Sequence, residues 1–130
     1  MRSKVLVVDD SLATARQLTR MIDSFAGYEV VGHARDGLEG IQLFKQLGPD
    51  VVLMDIAMPR MDGLESLRTV MSLKPEAKVV MVSAMGGVGR KVEEAIRLGA
   101  RNVISKPFEP SRVQGILDTL TRQGGDKEPG

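Results

Sequence analysis

Polar side chains that follow short apolar runs of this sequence are of types that together could carry out phosphoryl chemistry. They are Asp9 and Asp10 after the first run, Asp55 after the third, Ser83 after the fourth and Lys106 after the fifth. Carboxylates about 5 Å apart repel each other by roughly 3 kcal/mol at an effective dielectric of about 20, so a cation is expected among them. Because the donors are oxygens and the sequence has no cysteine, Mg²⁺ is expected in preference to Ca²⁺.

A metal ion, a lysine and a hydroxyl beside a spare carboxylate form a site suited to phosphoryl transfer. Asp55 is the expected nucleophile, because carboxylates form aspartyl-phosphate intermediates. The metal and Lys106 would offset the charge that develops on the transferred oxygens, and the Ser83 hydroxyl would bind one of those oxygens. Any one of these residues alone could simply cap a helix or begin a turn. Their recurrence after most of the predicted strands favours a shared site.

The elements that must position these residues are short β-branched runs, each followed by a segment with helical spacing. The runs are Val5–Val8, Val30–Val31, Val51–Met54, Val79–Val82 and Val103–Ile104. This alternation predicts an α/β fold with a doubly wound parallel sheet. Because all strands of a parallel sheet point the same way, the residues that follow them meet at one edge.

The helical segments carry apolar stripes at i, i+3 and i+7 spacing, which is typical of helices packed on a sheet. The stripes are Ala15, Leu18, Ile22 and Phe25 in the first helix, Leu64, Leu67 and Met71 in the third, and Val113, Ile116, Leu117 and Leu120 in the last. The second strand mixes polar residues with apolar ones, so it is predicted to lie at the sheet edge. It contains His33, the single histidine, to which no role is assigned.

Length and composition restrict the possible classes of protein. The chain has 130 residues with 42% hydrophobic and 27% charged positions, which indicates one globular domain, predicted over residues 1–122 with a disordered tail or linker at 123–130. The absence of cysteine excludes disulfides and makes a cytoplasmic location the expectation. No run is long enough for a signal peptide or membrane span. A net charge of +1 and 3% aromatic residues give no support for nucleic-acid binding.

The motifs around these residues resemble those of response-regulator receiver domains, particularly the stand-alone chemotaxis type, over nearly the whole chain. The matching segments are VLVVDDS with Asp9 and Asp10, VVLMDIAMPRMDGLE with Asp55, VVMVSAMG with Ser83, and VISKPFEPSRV with Lys106. The resemblance implies a flavodoxin-like fold, in which a five-stranded parallel sheet of order 2-1-3-4-5 is flanked by five helices. It also implies a signalling protein that is not an enzyme acting on other molecules, but promotes only its own phosphorylation and dephosphorylation.

Site roles follow from the same resemblance. Asp55 is expected to accept a phosphoryl group from a histidine kinase. Mg²⁺ is expected to bind Asp10, Asp55 and the carbonyl of Ala57, with Asp9 acting mainly through a bound water. Lys106 is expected to contact the phosphoryl group, and its peptide bond to Pro107 is expected to be cis. Ser83 would move toward the phosphoryl group to signal that it is present.

Residues at two functional places in this sequence differ from those that are common in the family. Val103 stands where many receivers have a tyrosine or phenylalanine that changes position on activation, so the signal is expected to depend on the glycine-rich loop after Ser83 instead. Ala57 and Met85 occupy positions that can orient the water that removes phosphate, and neither side chain can hydrogen-bond it. Slow loss of the phosphoryl group is therefore expected, with a separate phosphatase as a partner.

The output is expected to be a protein target that binds the surface from the fourth to the fifth helix. That surface carries Arg90, Lys91, Arg97, Arg101, Lys106 and Arg112 against Glu93, Glu94 and Glu109, which suits an acidic partner. Two alternatives remain open. The chain could be a receiver cut from a longer effector, such as a methylesterase or transcription factor, or an interaction module that works without phosphorylation.

Overall fold

A computed structural model describes residues 2–58, 61–84 and 89–121, in which strands and helices alternate along the chain. The strands in this part of the chain are β1 (Ser3–Val8), β2 (Tyr28–Ala34), β3 (Val51–Asp55), β4 (Val79–Ser83) and β5 (Asn102–Ser105). The helices are α1 (Leu12–Asp23), α2 (Gly37–Leu47), α3 (Gly63–Leu73), α4 (Arg90–Leu98) and α5 (Pro110–Thr121). The predicted α/β class is confirmed. The predicted tail at 123–130 lies outside the described residues.

All neighbouring strands pair in parallel, in the order β2-β1-β3-β4-β5, as the family resemblance implied. The apolar runs of β1, β3 and β4 are buried on both faces because helices cover both sides of the sheet. The mixed strand β2 lies at one edge, as predicted, and β5 lies at the other. Among the described residues, no helix combines the length and the hydropathy of a transmembrane segment.

The core has two layers because successive side chains of a strand point to opposite faces of the sheet. Leu6 and Val8 of β1 pack with the apolar faces of α2, α3 and α4, whereas Val5 and Val7 pack with those of α1 and α5. The predicted stripes supply these faces, with one correction. Phe25 lies beyond the last residue of α1 and packs against the core from the turn, because Ser24 ends the helix.

Both edge strands have a backbone amide that is already hydrogen-bonded to a side chain. In β5 the N–H of Val103 donates to Oδ1 of Asn102 at 2.8 Å. The carbonyl of Val103 accepts from Nη2 of Arg112 at 3.3 Å. In β2 the N–H of Val30 donates to Oδ1 of Asp23 at 2.9 Å. Side chains therefore form hydrogen bonds with backbone groups at both edges of the sheet.

Gly63 is required for a steric reason. It begins α3 without a left-handed φ. A Cβ there would overlap the carbonyl oxygen of Asp55 and lie 2.8 Å from the Cα of Ile56. The start of α3 therefore packs directly against the backbone that carries the phosphoacceptor candidate.

We expect Gly63→Ala to lower the free energy of unfolding by about 2 kcal/mol, because the backbone contacts of its Cβ cannot relax through a side chain. Gly115→Ala in α5 is the matched control, since a Cβ there meets nothing within 4 Å. That change is expected to raise the free energy of unfolding by about 0.5–1 kcal/mol. Urea unfolding followed by circular dichroism measures both, and equal effects of the two substitutions would contradict the steric explanation.

Candidate functional site

The ends of β1 and β3 bring the predicted carboxylates together. Val8 pairs with Met54 in register, so the next residues, Asp9 and Asp55, follow neighbouring strands at the same level. Asp9, Asp10 and Asp55 each offer a carboxylate oxygen within 4.8 Å of the others. The sequence thus predicted correctly that these residues share one edge of the sheet.

Asp9 is buried and its surroundings fix both its backbone and its side chain. Its carboxylate accepts the N–H of Ser11 at 2.8 Å. Its backbone N–H donates to the carbonyl of Ala34 at 2.9 Å. Its carbonyl lies 2.9 Å from Nε2 of His33, which donates to it. Burial raises the pKa of Asp9. The hydrogen bond from Ser11 and the positive charge of Lys106 act in the opposite direction and lower this pKa. His33 thus has a local role in holding the end of β1 that the sequence did not reveal.

Asp55 is the carboxylate whose ionisation the site most strongly disfavours. Burial, followed by the negative charge of Asp9, raises the pKa of Asp55 to about 7. The N–H of Ala57 opposes this shift by donating to Oδ1 of Asp55 at 3.2 Å. The cluster therefore has more negative charge than its protein neighbours neutralise, which is the condition that favours a bound cation.

The donor set of this cluster suits Mg²⁺. The ligands that the structure brings together are carboxylate oxygens, which hard divalent cations prefer. Mg²⁺ binds through one or two carboxylates and keeps several waters, so a small acidic cluster at an exposed edge is sufficient. The backbone of Ala57 lies beside the Asp55 carboxylate, as its N–H contact shows, and ligation by its carbonyl stays a prediction.

Lys106 approaches the same cluster from the end of β5. Its Nζ donates to Oγ1 of Thr14 at 2.9 Å, and its charge lowers the pKa of Asp9. The peptide bond between Lys106 and Pro107 is cis, as expected. Thr14 was not predicted as a site residue. The available signal was a polar residue on the apolar face of α1, four positions after Asp10.

Ser83 lies at the end of β4, next to the site, with its hydroxyl bonded elsewhere. Its Oγ donates to the carbonyl of Ala84 at 3.1 Å. Its own carbonyl accepts the N–H of Lys106 at 3.3 Å, so the ends of β4 and β5 are joined beside the carboxylates. A contact between this hydroxyl and a phosphoryl oxygen would require the hydroxyl to leave Ala84.

The residues that the sequence connected with switching and phosphate loss are only partly described. Val103 is half-buried and packs against the core beneath α2, α3 and α4. Gly89 has a left-handed φ of 128° at the start of α4, a conformation that favours glycine. Met85, Gly86 and Gly87 lie outside the described residues, and the proposed roles of their loop stay predictions.

The surface from α4 to α5 carries the basic side chains noted in the sequence. Arg90, Lys91, Arg97, Arg101 and Arg112 are all exposed. Glu94 is directed toward α3, where Arg68 lies 3.6 Å from it, whereas Lys106 belongs to the carboxylate site. A groove of about 470 Å³ between β5 and α5 is lined by Arg101 and Arg112 together with Gly115, Ile116 and Thr119.

Comparison with known proteins shows which family this chain resembles. A family model for the response regulator receiver domain matches residues 5–118. The chain is 43% identical over 122 residues to the chemotaxis protein CheY of Thermotoga maritima, covering 94% of this chain and 100% of that protein. It is also 43% identical over 104 residues to protein-glutamate methylesterase/protein-glutamine glutaminase 3 of Geobacter sulfurreducens, covering 80% of this chain and 28% of that protein.

A solved structure shows the same arrangement of the whole fold. The crystal structure of the CheX–CheY complex with BeF3 and Mg²⁺ from Borrelia burgdorferi has a TM-score of 0.83 and 33% sequence identity to this chain. The similarity covers 92% of this chain and 89% of that one.

Proposed function

The chain belongs to the response regulator receiver domain family, and on this basis we propose that it is a CheY-like phosphoacceptor that takes a phosphoryl group on Asp55. The phosphodonor is a histidine kinase, Mg²⁺ is the cofactor, and the phosphorylated form binds a protein target in chemotaxis, in the cytoplasm. The observation that carries the proposal is the group of three carboxylates, with oxygens within 4.8 Å of one another, approached by the Lys106 ammonium.

The transfer step requires little covalent chemistry from the protein. A carboxylate oxygen of Asp55 forms a bond to phosphorus as the N–P bond to the donor histidine breaks, and the imidazole nitrogen keeps the electron pair of that bond. The attacking oxygen of Asp55, the phosphorus and the leaving nitrogen of the histidine must lie in line. The negative charge on the three other phosphoryl oxygens must be stabilised at the same time. Lys106 would contact one of these oxygens, a role supported by the effect of its ammonium charge on the nearby Asp9 carboxylate.

The acidic residues have different roles in holding Mg²⁺. Asp10, Asp55 and the carbonyl of Ala57 would hold Mg²⁺ directly, and Asp9 would act through a water molecule. When bound, Mg²⁺ neutralises the cluster and the oxygens of the transferred group. The buried position of Asp9 and its bond from Ser11 keep that carboxylate fixed, so it can order a water without moving.

The signal leaves the site through Ser83 and the surface from α4 to α5. On phosphorylation the Ser83 hydroxyl would exchange the Ala84 carbonyl for a phosphoryl oxygen. The N–H of Lys106 donates to the carbonyl of Ser83, so a movement of Ser83 would shift the backbone of Lys106 at the start of the segment that leads into α5. The exposed arginines and Lys91 on this surface would receive an acidic helix or peptide of the target.

The match to a methylesterase supports the alternative that the chain is the receiver part of a longer effector. Both versions predict phosphorylation of Asp55, and they differ in whether the output is a separate protein or a linked domain. A module that works without phosphorylation is the remaining alternative. It predicts that target binding is the same with and without a phosphodonor.

Intact-mass measurement after incubation with acetyl phosphate and Mg²⁺ tests the proposal directly. One phosphoryl adduct is expected, and a chelator added before the phosphodonor should prevent it, because the carboxylates then repel the incoming phosphate. A protein that binds Mg²⁺ in a calorimetric titration but takes up no phosphoryl group would contradict the proposal and favour the phosphorylation-independent module.

The residues at positions 57 and 85 predict a long-lived phosphoryl group. The side chains of Ala57 and Met85 have no group that can orient a water toward the aspartyl phosphate, so a separate phosphatase would end the signal. Ala57→Asn combined with Met85→Glu is expected to speed spontaneous phosphoryl loss by about tenfold. Decay of the adduct after removal of acetyl phosphate measures this rate, and an unchanged half-life would show that these positions do not limit it.

A further inference from the structure

Thr14 makes an unusual use of its hydroxyl in α1. The side chain is buried, with 6% of its surface exposed, and its Oγ1 accepts a hydrogen bond from Nζ of Lys106 at 2.9 Å. Its backbone N–H is capped separately by Oγ of Ser11 at 3.2 Å. The hydroxyl is therefore not needed to begin the helix, and it joins α1 to the end of β5.

Three other threonines in the described helices behave differently. The hydroxyls of Thr69, Thr119 and Thr121 donate to the carbonyl one turn earlier in their own helix, at 3.1, 2.9 and 2.8 Å. That local bond is the ordinary one for a helical threonine. The Thr14 hydroxyl instead serves as an acceptor for a charged group that the transfer reaction uses.

We propose that Thr14 is a positioning residue for phosphoryl transfer, because its hydroxyl holds the Lys106 ammonium beside the carboxylate cluster. This inference rests on the proposed function of Asp55. A lysine ammonium has three N–H donors and no acceptor. The bond to Thr14 uses one donor and leaves two for a carboxylate and a phosphoryl oxygen.

The benefit of this contact is orientation. Lysine carries its charge on a flexible four-carbon stem, so an ammonium without a fixed acceptor samples many positions. Phosphoryl transfer depends mainly on placing positive charge where negative charge develops, and small misplacements slow it. Since Thr14 is on the first turn of α1, directly after the loop that carries Asp10, it fixes the lysine relative to the metal ligands as well.

The test compares Thr14→Val, which keeps the shape but removes the acceptor, with Thr14→Ser, which keeps the hydroxyl. Thr19→Val on the same helix is the matched control, because Thr19 lines the groove between α1 and β2 and not the carboxylate site. Rates of phosphoryl uptake from acetyl phosphate are measured at saturating Mg²⁺ by intact mass, and Mg²⁺ affinity is measured by calorimetry.

Thr14→Val is expected to slow uptake by about fivefold to tenfold, with the Kd for Mg²⁺ changed by less than about twofold. Thr14→Ser should restore the rate to within about twofold of the parent, and Thr19→Val should match the parent. In a Lys106→Met background, Thr14→Val should cause no further loss, because the group that it positions is gone.

The possible contrary results separate the two proposals. Uptake by Thr14→Val at the parent rate, or equal losses in the valine and serine variants, would overturn the positioning role while leaving Asp55 as acceptor. A further loss caused by Thr14→Val in the Lys106→Met background would also overturn it, since Thr14 would then act independently of Lys106. Absence of any adduct on the parent protein would overturn the proposed function, and the Thr14 role with it.

Discussion

Asp55→Asn is expected to abolish phosphoryl uptake from acetyl phosphate in the presence of Mg²⁺, with a rate reduction of at least about a thousandfold. An amide oxygen is a far weaker nucleophile than a carboxylate oxygen, and the product would not be a stable acyl phosphate. The substitution should leave the local backbone intact, because the asparagine oxygen can still accept the N–H of Ala57. Loss of uptake would then report on chemistry and not on folding.

A charge control is needed because the variant also removes one negative charge from the cluster. Glu76→Gln removes one from an exposed position after α3, away from the carboxylate site, and it should take up the phosphoryl group at the parent rate. Intact mass followed by peptide mapping gives the result. An adduct on Asp55→Asn, mapped to Asp10, would show that the acceptor within the cluster had been assigned to the wrong residue.

Asp55→Asn is also expected to raise the free energy of unfolding of the metal-free protein at pH 8 by about 1–2 kcal/mol. The rise of the Asp55 pKa from 3.8 to about 7 corresponds to about 4 kcal/mol in full. Because the side chain is partly exposed, solvent screening reduces this contribution to the smaller value. At this size of domain the melting temperature should rise by about 3–10 °C.

The direction of the pH dependence follows from proton binding. Burial first, and then the charge of Asp9, raises the pKa of Asp55 in the folded protein, so the folded state binds more protons than the unfolded state between pH 3.8 and about 7. The metal-free parent should therefore lose stability as pH rises through this range. Asp55→Asn lacks this contribution, and the difference between the two proteins should be small near pH 4 and largest above pH 7.

Thermal unfolding in a chelator across this pH range, followed by circular dichroism, measures the effect, with Glu76→Gln again as the control. Adding Mg²⁺ should stabilise the parent more than Asp55→Asn, because the ion neutralises the repulsion that the asparagine has already removed. Equal melting temperatures of parent and Asp55→Asn at pH 8 without metal would contradict the claim that the ionised Asp55 carboxylate destabilises the metal-free folded protein.

The sequence was sufficient to predict the sheet and the meeting of its acidic residues. Fully apolar runs identified the central strands, and the common direction of parallel strands then placed Asp9, Asp10 and Asp55 at one edge. These inferences depend on regularities that repeat at every strand. They need only the order of the residues and no knowledge of individual side-chain conformations.

The contacts that depend on tertiary packing were not accessible in the same way. The bond from Lys106 to Thr14 joins residues from opposite ends of the chain, and it depends on how α1 lies against the end of β5. The steric requirement for Gly63 could not be inferred from the sequence, because its close approach to Asp55 and Ile56 is visible only in three dimensions. A pattern of spacing identifies an element, whereas such contacts depend on the docking of one element on another.

The side-chain bonds at the two sheet edges have a consequence for self-association. An exposed edge strand offers unpaired N–H and C=O groups to which a strand of another molecule can add, which is a common route to aggregation. Here the N–H and C=O of Val103 are hydrogen-bonded to the side chains of Asn102 and Arg112, and the N–H of Val30 is hydrogen-bonded to the side chain of Asp23. A second copy would have to break these bonds before its own strand could pair. Strand addition at these positions is thus disfavoured, which discourages fibre-like growth at high protein concentration.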